Sequence, residues 1–148
     1  MAAATPRVVL DTNVCLDLFV FADPRGAALA AALRRGGVEA VTCPACREEW
    51  QAVLHYPQLG LEATVRDRAM AAFDRHLHLY EPPASLPPLP RCTDPDDQKF
   101  LALASAVGAR WLLSRDGALL RLGRRTLRTA GFAVLTPEQW TLAWNSAP

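Results

Sequence analysis

The chain has 148 residues and a formal net charge of +1, and 51% of its residues are hydrophobic while 21% are charged. This composition is typical of one globular domain, because disordered chains lack the apolar side chains that offset chain entropy. No apolar run approaches the roughly 20 residues that cross a bilayer, and the four cysteines are too irregularly spaced for a secreted disulfide framework. We therefore expect a single domain over residues 1–148, located in the cytoplasm and without a membrane partner.

Predicted strands and helices alternate along the chain. Short apolar runs predict strands, and apolar residues at helical spacing predict helices. The predicted strands are residues 7–10, 38–42, 111–113 and 132–135. The first predicted helix starts after residue 11, the next four cover 26–35, 44–56, 62–77 and 94–107, and the last starts with a cap at 136. A proline-rich extended connector covers 81–91. This alternation predicts an α/β fold with a parallel sheet covered by helices on both faces.

Acidic side chains lie where the predicted strands end. Asp11 and Asp116 follow predicted strands, and Glu48 and Glu49 lie a turn into the helix after the second strand. Asp94, Asp96 and Asp97 open the helix that follows the connector. Because reactive sites of open parallel sheets lie beyond the carboxyl ends of the strands, we expect these carboxylates at one edge. Like charges gathered there repel unless a cation lies among them, and oxygen ligands suit Mg²⁺ or Mn²⁺. The sequence therefore predicts a divalent metal site of the kind that supports phosphodiester hydrolysis.

Most of these acids, taken singly, also have a structural explanation. Asp94 is typical of a helix N-cap, Asp116 of a turn or cap, and Glu48 or Glu49 of a solvated first turn. Asp11 is different, because a carboxylate at the end of a buried strand is costly without a partner and no basic residue is its near neighbour in sequence. The coincidence of four such segments is what favours the metal site.

The order of these motifs resembles that of the PIN-domain nucleases, particularly the branch of toxin components of toxin–antitoxin systems. The resemblance covers roughly residues 7–140. Four segments carry it: residues 8–13 (VVLDTN), 47–54 (REEWQAVL), 94–104 (DPDDQKFLALA) and 112–120 (LLSRDGALL).

The resemblance implies a three-layer α/β/α sandwich with a mostly parallel central sheet, and Mg²⁺- or Mn²⁺-dependent cleavage of single-stranded RNA. Carried over residue by residue, it implies that the catalytic and metal-binding acids are Asp11, Glu49, Asp97 and Asp116, with Asn13 and Ser114 supporting them and Asp94 as an additional participant. Glu49 is favoured over Glu48 because its spacing to the following Val53 and Leu54 is that of the family. Beyond the RNA substrate, the candidate partners are an antitoxin protein and a second copy of the chain.

Arginines near these motifs are candidate RNA contacts. Arg115 departs from the family pattern, in which a small or neutral residue is common at this position, and it is either a phosphate contact or simply exposed. Arg121, Arg124 and Arg125 form a basic cluster with Arg128. Such a cluster is typical of a solvated helix face, but beside an acidic metal site it can hold an RNA backbone.

Other functions compete with the nuclease hypothesis. Cys43 and Cys46 have the spacing of a redox motif at a helix start. Together with His76 and His78 they also supply four zinc ligands, although the histidines lack the usual three-to-five residue spacing. A phosphatase of the haloacid-dehalogenase type needs a second aspartate where this chain has Asn13. The main alternative of another class is a non-catalytic module that binds nucleic acid or protein.

Overall fold

The fold is built on short parallel strands. The computed structural model describes residues 4–83 and 85–146. The strands are β1 (Arg7–Leu10), β2 (Glu39–Thr42), β3 (Leu77–Leu79), β4 (Trp111–Leu113) and β5 (Ala133–Leu135). Within the described residues they form one sheet of five strands in the order β3-β2-β1-β4-β5, and every neighbouring pair is parallel.

Helices connect the strands. They are α1 (Thr12–Phe19), α2 (Ala27–Arg34), α3 (Pro44–Leu54), α4 (Ala63–His76), α5 (Gln98–Ala106), α6 (Gly117–Leu120), α7 (Gly123–Ala130) and α8 (Pro137–Ser146). In the part of the chain that the structure describes, none of them combines the length and the hydropathy needed to cross a membrane.

The sheet has an apolar core on each face. Successive strand residues point to opposite faces, so Val8 and Leu10 of β1 join one buried cluster and Val9 joins the other. The first cluster includes Trp50 and side chains of α1, α2, α4 and α8, and the second includes Phe100 and side chains of α5 and α6. The predicted α/β/α sandwich with a parallel central sheet is therefore confirmed.

One strand of the sheet was not predicted from the sequence. The predicted helix over 62–77 ends at His76, and the chain passes directly into β3. This strand pairs with β2, with Leu77 opposite Ala40. The strand is three residues long and no turn residue precedes it, so its formation depends on pairing with β2, which local sequence does not reveal.

The parallel arrangement brings the ends of the central strands together. The carboxyl ends of β1, β2 and β4 lie at one edge of the sheet. There the Asp11 amide donates to the Leu113 carbonyl at 2.9 Å, which continues the β1–β4 ladder by one residue. Residues that follow these strands therefore meet at this edge, which we call the carboxyl edge.

Candidate metal-binding active site

Asp11 is fixed at the centre of the carboxyl edge. It is buried, caps α1 through its Oδ1, which accepts from the Thr12 amide at 2.7 Å, and accepts from the Ser114 hydroxyl at Oδ2, also at 2.7 Å. Burial raises the pKa of the Asp11 carboxyl, and the charges of Glu49 and Asp116 add to this effect, while the two hydrogen bonds oppose it. Asp11 is thus an oriented carboxylate in a negatively charged surrounding.

The two predicted supporting residues both contact Asp11 or its neighbours. The Asn13 amide nitrogen lies 3.4 Å from Asp11 Oδ2, and its Oδ1 accepts from the Arg115 amide at 3.2 Å. The Ser114 hydroxyl is fully buried and accepts from the Asp116 amide at 2.9 Å. Asn13 and Ser114 therefore link the end of β1 to the segment after β4.

Three further aspartates gather beside this point. Asp94, Asp97 and Asp116, which we call the aspartate group, each place one carboxylate oxygen within 4.8 Å of the others. Asp94 is exposed and caps the turn before α5 by accepting from the Asp96 amide at 3.0 Å, and Asp116 caps α6 by accepting from the Ala118 amide at 2.8 Å. Each of these caps uses only one of the two carboxylate oxygens. Asp94 and Asp116 therefore have the capping roles expected from the sequence and are also members of the aspartate group.

Asp97 has an unsatisfied buried oxygen. Its side chain is buried, and no hydrogen-bond partner reaches Oδ2 within the described residues. Burial, contact with the Asp116 carboxyl and the charges of Asp11, Asp116 and Asp94 raise the pKa of Asp97 to about 7. A buried carboxylate without a partner is costly, and an all-oxygen donor set suits Mg²⁺ or Mn²⁺. The site therefore fits a divalent cation.

Glu49 is bonded differently from the aspartates. Its Oε1 lies 2.7 Å from the Lys99 ammonium, and its Oε2 accepts from the Thr12 hydroxyl. Lys99 also donates to the Asp96 carbonyl. The predicted ligand Glu49 thus lies next to the other acids but in an ion pair, whereas Glu48 is exposed.

The sequence predictions missed Lys99 and Thr12 as parts of the site. Lys99 is the single lysine among 16 basic residues, which was a usable clue. Burial alone lowers the pKa of the Lys99 ammonium, but the hydrogen bond and charge of Glu49 outweigh this and raise it. Lys99 therefore adds a positive charge beside the acidic residues.

The acids face a common opening. Asp11, Asp97 and Asp116 line one cleft of about 320 Å³ together with Thr12 and Asn13. Three aspartates that line one cleft can bind a cation there and leave room for a ligand of that cation.

Arg115 lies in ion pairs with other acids. Its Nε is 2.6 Å from Asp17 and its Nη1 is 2.9 Å from Glu138. Burial lowers the pKa of the guanidinium, but the contacts with Asp17 and Glu138 raise it overall. These contacts connect the segment after β4 to α1 and α8, and the role of Arg115 in binding RNA stays a prediction.

The other candidate RNA contacts are exposed. Arg121, Arg124 and Arg125 lie at and after the end of α6. A Cβ added to Gly117 would lie 3.2 Å from Arg121 Nη1, so this guanidinium lies over the start of α6, next to Asp116. Their role in RNA binding stays a prediction.

The two cysteines lie together, but they are apart from the two histidines of the zinc hypothesis. Cys43 and Cys46 are buried at the start of α3 with their sulfurs 3.4 Å apart, and the hydrogen bond with Cys46 lowers the pKa of the Cys43 thiol to about 6. His76 and His78 instead line a cleft with Thr5, near the opposite ends of the strands. The described residues therefore do not bring these four side chains into a zinc site.

Comparison with known proteins agrees with this fold. A sequence model of the PIN domain matches residues 7–118. No protein among the curated ones matches the chain. Among solved structures, the chain is similar to a chain of the crystal structure of VapBC2 from Rickettsia felis bound to a DNA fragment from their promoter, with a TM-score of 0.57, 13% sequence identity and coverage of 86% of this chain and 96% of that chain. This likeness shows a common fold, and the match to the sequence model covers most of the chain. The chain therefore belongs to the PIN domain family.

Proposed function

We propose that the chain is a metal-dependent endoribonuclease that hydrolyses phosphodiester bonds of single-stranded RNA. The observation that carries this proposal is the buried, unpartnered Oδ2 of Asp97 beside two further aspartates of the aspartate group. Membership of the PIN domain family supports the same conclusion.

The proposed roles follow from the contacts of each side chain. Asp11, Asp97 and Asp116, with Asp94, would hold Mg²⁺ or Mn²⁺. When bound, such an ion lowers the pKa of a bound water and neutralises charge on a phosphate. The Ser114 hydroxyl keeps Asp11 oriented towards the cleft.

Glu49 is also a proposed metal ligand, but to bind the ion it must give up one of its present hydrogen-bond partners. Its two oxygens are bonded to Lys99 and to the Thr12 hydroxyl. These two groups hold Glu49 at the border of the site, so its carboxylate contributes negative charge there while Lys99 partly offsets it.

An RNA cleavage assay with matched variants tests the proposal. We expect the purified chain to cleave labelled single-stranded RNA with Mn²⁺ or Mg²⁺ and not with a chelator. Asp11→Asn should lower the rate at least about 100-fold, since removing one charge-stabilising group commonly costs that much, while the fold stays intact. Asp67 is exposed on α4, and Asp67→Asn is the control that should cleave at the normal rate.

The outcomes separate the enzyme from the alternative class. Undiminished cleavage by carefully purified Asp11→Asn would contradict the proposed site. Metal-independent RNA binding without any cleavage would instead support a non-catalytic PIN-like binding module.

We also propose an antitoxin protein as a partner. The support is the fold likeness to the VapBC2 structure and the sequence resemblance to toxin components. We expect a small protein encoded beside this chain to bind it and suppress its cleavage of RNA, and an encoded neighbour that neither binds nor inhibits would contradict this.

The homodimer and the cytoplasmic location stay predictions. Light scattering tests the first, and cell fractionation tests the second.

A further inference from the structure

The cleft at the carboxyl edge is lined by two chemically unlike sets of residues. Its lining includes three aspartates, Asp11, Asp97 and Asp116, and a set of largely apolar residues, which we call the apolar wall. The residues of the apolar wall are Leu16, Val53, Tyr56 and Leu59, and Gln58 also lines the cleft. The volume of about 320 Å³ lies in the range of pockets for small ligands.

The backbone of Tyr56 is held in place although the residue is exposed. It follows the end of α3, where its amide donates to the Val53 carbonyl at 3.0 Å and its carbonyl accepts from the Leu59 amide at 3.0 Å. Gly60 closes this turn with a left-handed φ of 57°, which glycine adopts without strain. The residue is nevertheless 48% exposed, so an aromatic residue on an anchored backbone lines the cleft.

We propose that this apolar wall is a subsite for one unstacked base of a single-stranded polynucleotide, with the Tyr56 ring stacking against the base. The planar base covers the exposed ring, and the Gln58 amide offers both a donor and an acceptor to a base edge. The adjoining carboxylates, with a divalent cation, attract the phosphate of the same nucleotide. A purely apolar peptide side chain would fill the wall but would leave this charged side of the cleft unmatched.

The subsite selects single strands over duplexes. A base in a duplex has both faces covered by its neighbours, so the ring can reach only a base that has left the stack. The subsite rests on the proposed function for the metal and the phosphate, but base binding can be measured separately from cleavage.

Equilibrium binding of short RNA tests the subsite. All proteins carry Asp116→Asn so that cleavage does not deplete the RNA, and fluorescence anisotropy in Mg²⁺ gives the Kd of single-stranded oligonucleotides. We expect Tyr56→Ala to raise Kd about 5- to 150-fold, the range that alanine substitution gives for base–aromatic stacking. Tyr56→Phe keeps the ring and should stay within about twofold of the parent.

Two controls identify the contact as stacking on a base. Phe21 is 56% exposed and lies beyond the opposite end of α1 from Asp11, so Phe21→Ala should leave Kd unchanged. A series of oligonucleotides is then tested, and each of them lacks the base at a different position. At one position, removal of the base should raise the Kd of the parent protein. In Tyr56→Ala, removal of the same base should raise Kd no further.

The results distinguish failure of the subsite from failure of the proposed function. An RNA affinity of Tyr56→Ala within twofold of the parent would overturn the base subsite and leave the apolar wall to a protein partner. Equal affinity for a duplex of the same sequence would also overturn it. If the unmodified chain cleaves no RNA but Tyr56 and one base still couple, the subsite stands and the nuclease proposal fails.

Discussion

At the scale of single residues, two buried aspartates, Asp11 and Asp97, differ in how their carboxylate oxygens are hydrogen-bonded. Asp11 receives hydrogen bonds from the Thr12 amide and the Ser114 hydroxyl. Asp97 has an oxygen that no group in the described residues satisfies. Asp11 is therefore stabilised by the fold itself, whereas Asp97 gains most from a cation or a proton.

The pH dependence of stability should reveal Asp97. Its pKa is raised to about 7 from about 4 in an unfolded chain. Between these values the folded state holds a proton that the unfolded state has lost, so metal-free stability should fall as pH rises from about 4 to 7. We expect Asp97→Asn to be more stable than the unaltered chain at pH 8, by about 1–3 kcal/mol, with a smaller difference at pH 5.

Urea unfolding in a chelator at pH 5 and pH 8 measures this effect. Asp67→Asn is the control and should show the pH dependence of the unaltered chain. An Asp97→Asn variant that loses stability with pH as steeply as the unaltered chain would contradict the assignment to Asp97.

The Glu49–Lys99 ion pair should contribute measurably to stability. The side chains are 25% and 23% exposed and 2.7 Å apart. We expect a double-mutant cycle of Glu49→Gln and Lys99→Met to give a coupling of about 0.5–1 kcal/mol that weakens in high salt. Thermal or urea unfolding of the four proteins measures it.

A second ion pair provides the comparison. Arg47 and Asp74 are 2.8 Å apart, but their side chains are 36% and 47% exposed, so their coupling should be smaller. Strictly additive effects of the two substitutions at Glu49 and Lys99 would show that the ion pair contributes nothing.

At the scale of elements, the sequence predicted the strands and the helix cap that depend on neighbouring residues in the chain. The strands at 7–10 and 111–113 have the predicted bounds, because short apolar runs end there at polar residues. The predicted cap of α8 is also present, since the Thr136 amide donates to Gln139 Oε1 at 3.0 Å and the Gln139 amide donates to Thr136 Oγ1 at 3.1 Å. The strand β3 could not be predicted in this way, because its cause is pairing with a distant strand.

The same distinction applies to the candidate site. The rule that sites follow strand ends was enough to place Asp11 and Asp116 near each other, whereas Asp97, which follows no predicted strand, was assigned from the helix start after the connector and from the family resemblance. It could not reveal that Lys99 pairs with Glu49, because 50 positions separate them and only the packing of α5 beside α3 brings them together.

The basic residues around α7 should affect affinity more than chemistry. Arg121 follows the end of α6, Arg124 and Arg125 lie at the start of α7, and all three are exposed. If they contact phosphates, replacing all three with alanine should weaken RNA binding and lower the salt slope by up to about 3, because each phosphate contact releases about one counterion. Cleavage at saturating RNA should change far less.

Arginines at the other end of the strands provide the matched control. Arg34 and Arg75 line a cleft with Glu39 at the amino end of β2, and Arg35 follows Arg34. Replacing these three with alanine removes the same charge away from the carboxyl edge. Equal effects of the two triple variants, or no effect of either, would remove the α7 arginines from the RNA-binding surface.

At the scale of the whole molecule, a net charge of +1 hides a separation of charge. The parallel sheet collects Asp11 and the aspartate group at its carboxyl edge. A polyanion such as RNA is repelled there until a cation neutralises the carboxylates. We therefore expect divalent metal binding to come before productive RNA binding.

Direct titration of the metal-free protein with Mn²⁺ tests this central claim most directly. Isothermal titration calorimetry should show saturable binding to the unaltered chain and to Asp67→Asn. The affinity should drop at least about tenfold in Asp97→Asn, because the variant loses one anionic ligand. Saturable binding of equal affinity in Asp97→Asn, or no saturable binding to the unaltered chain, would contradict the account.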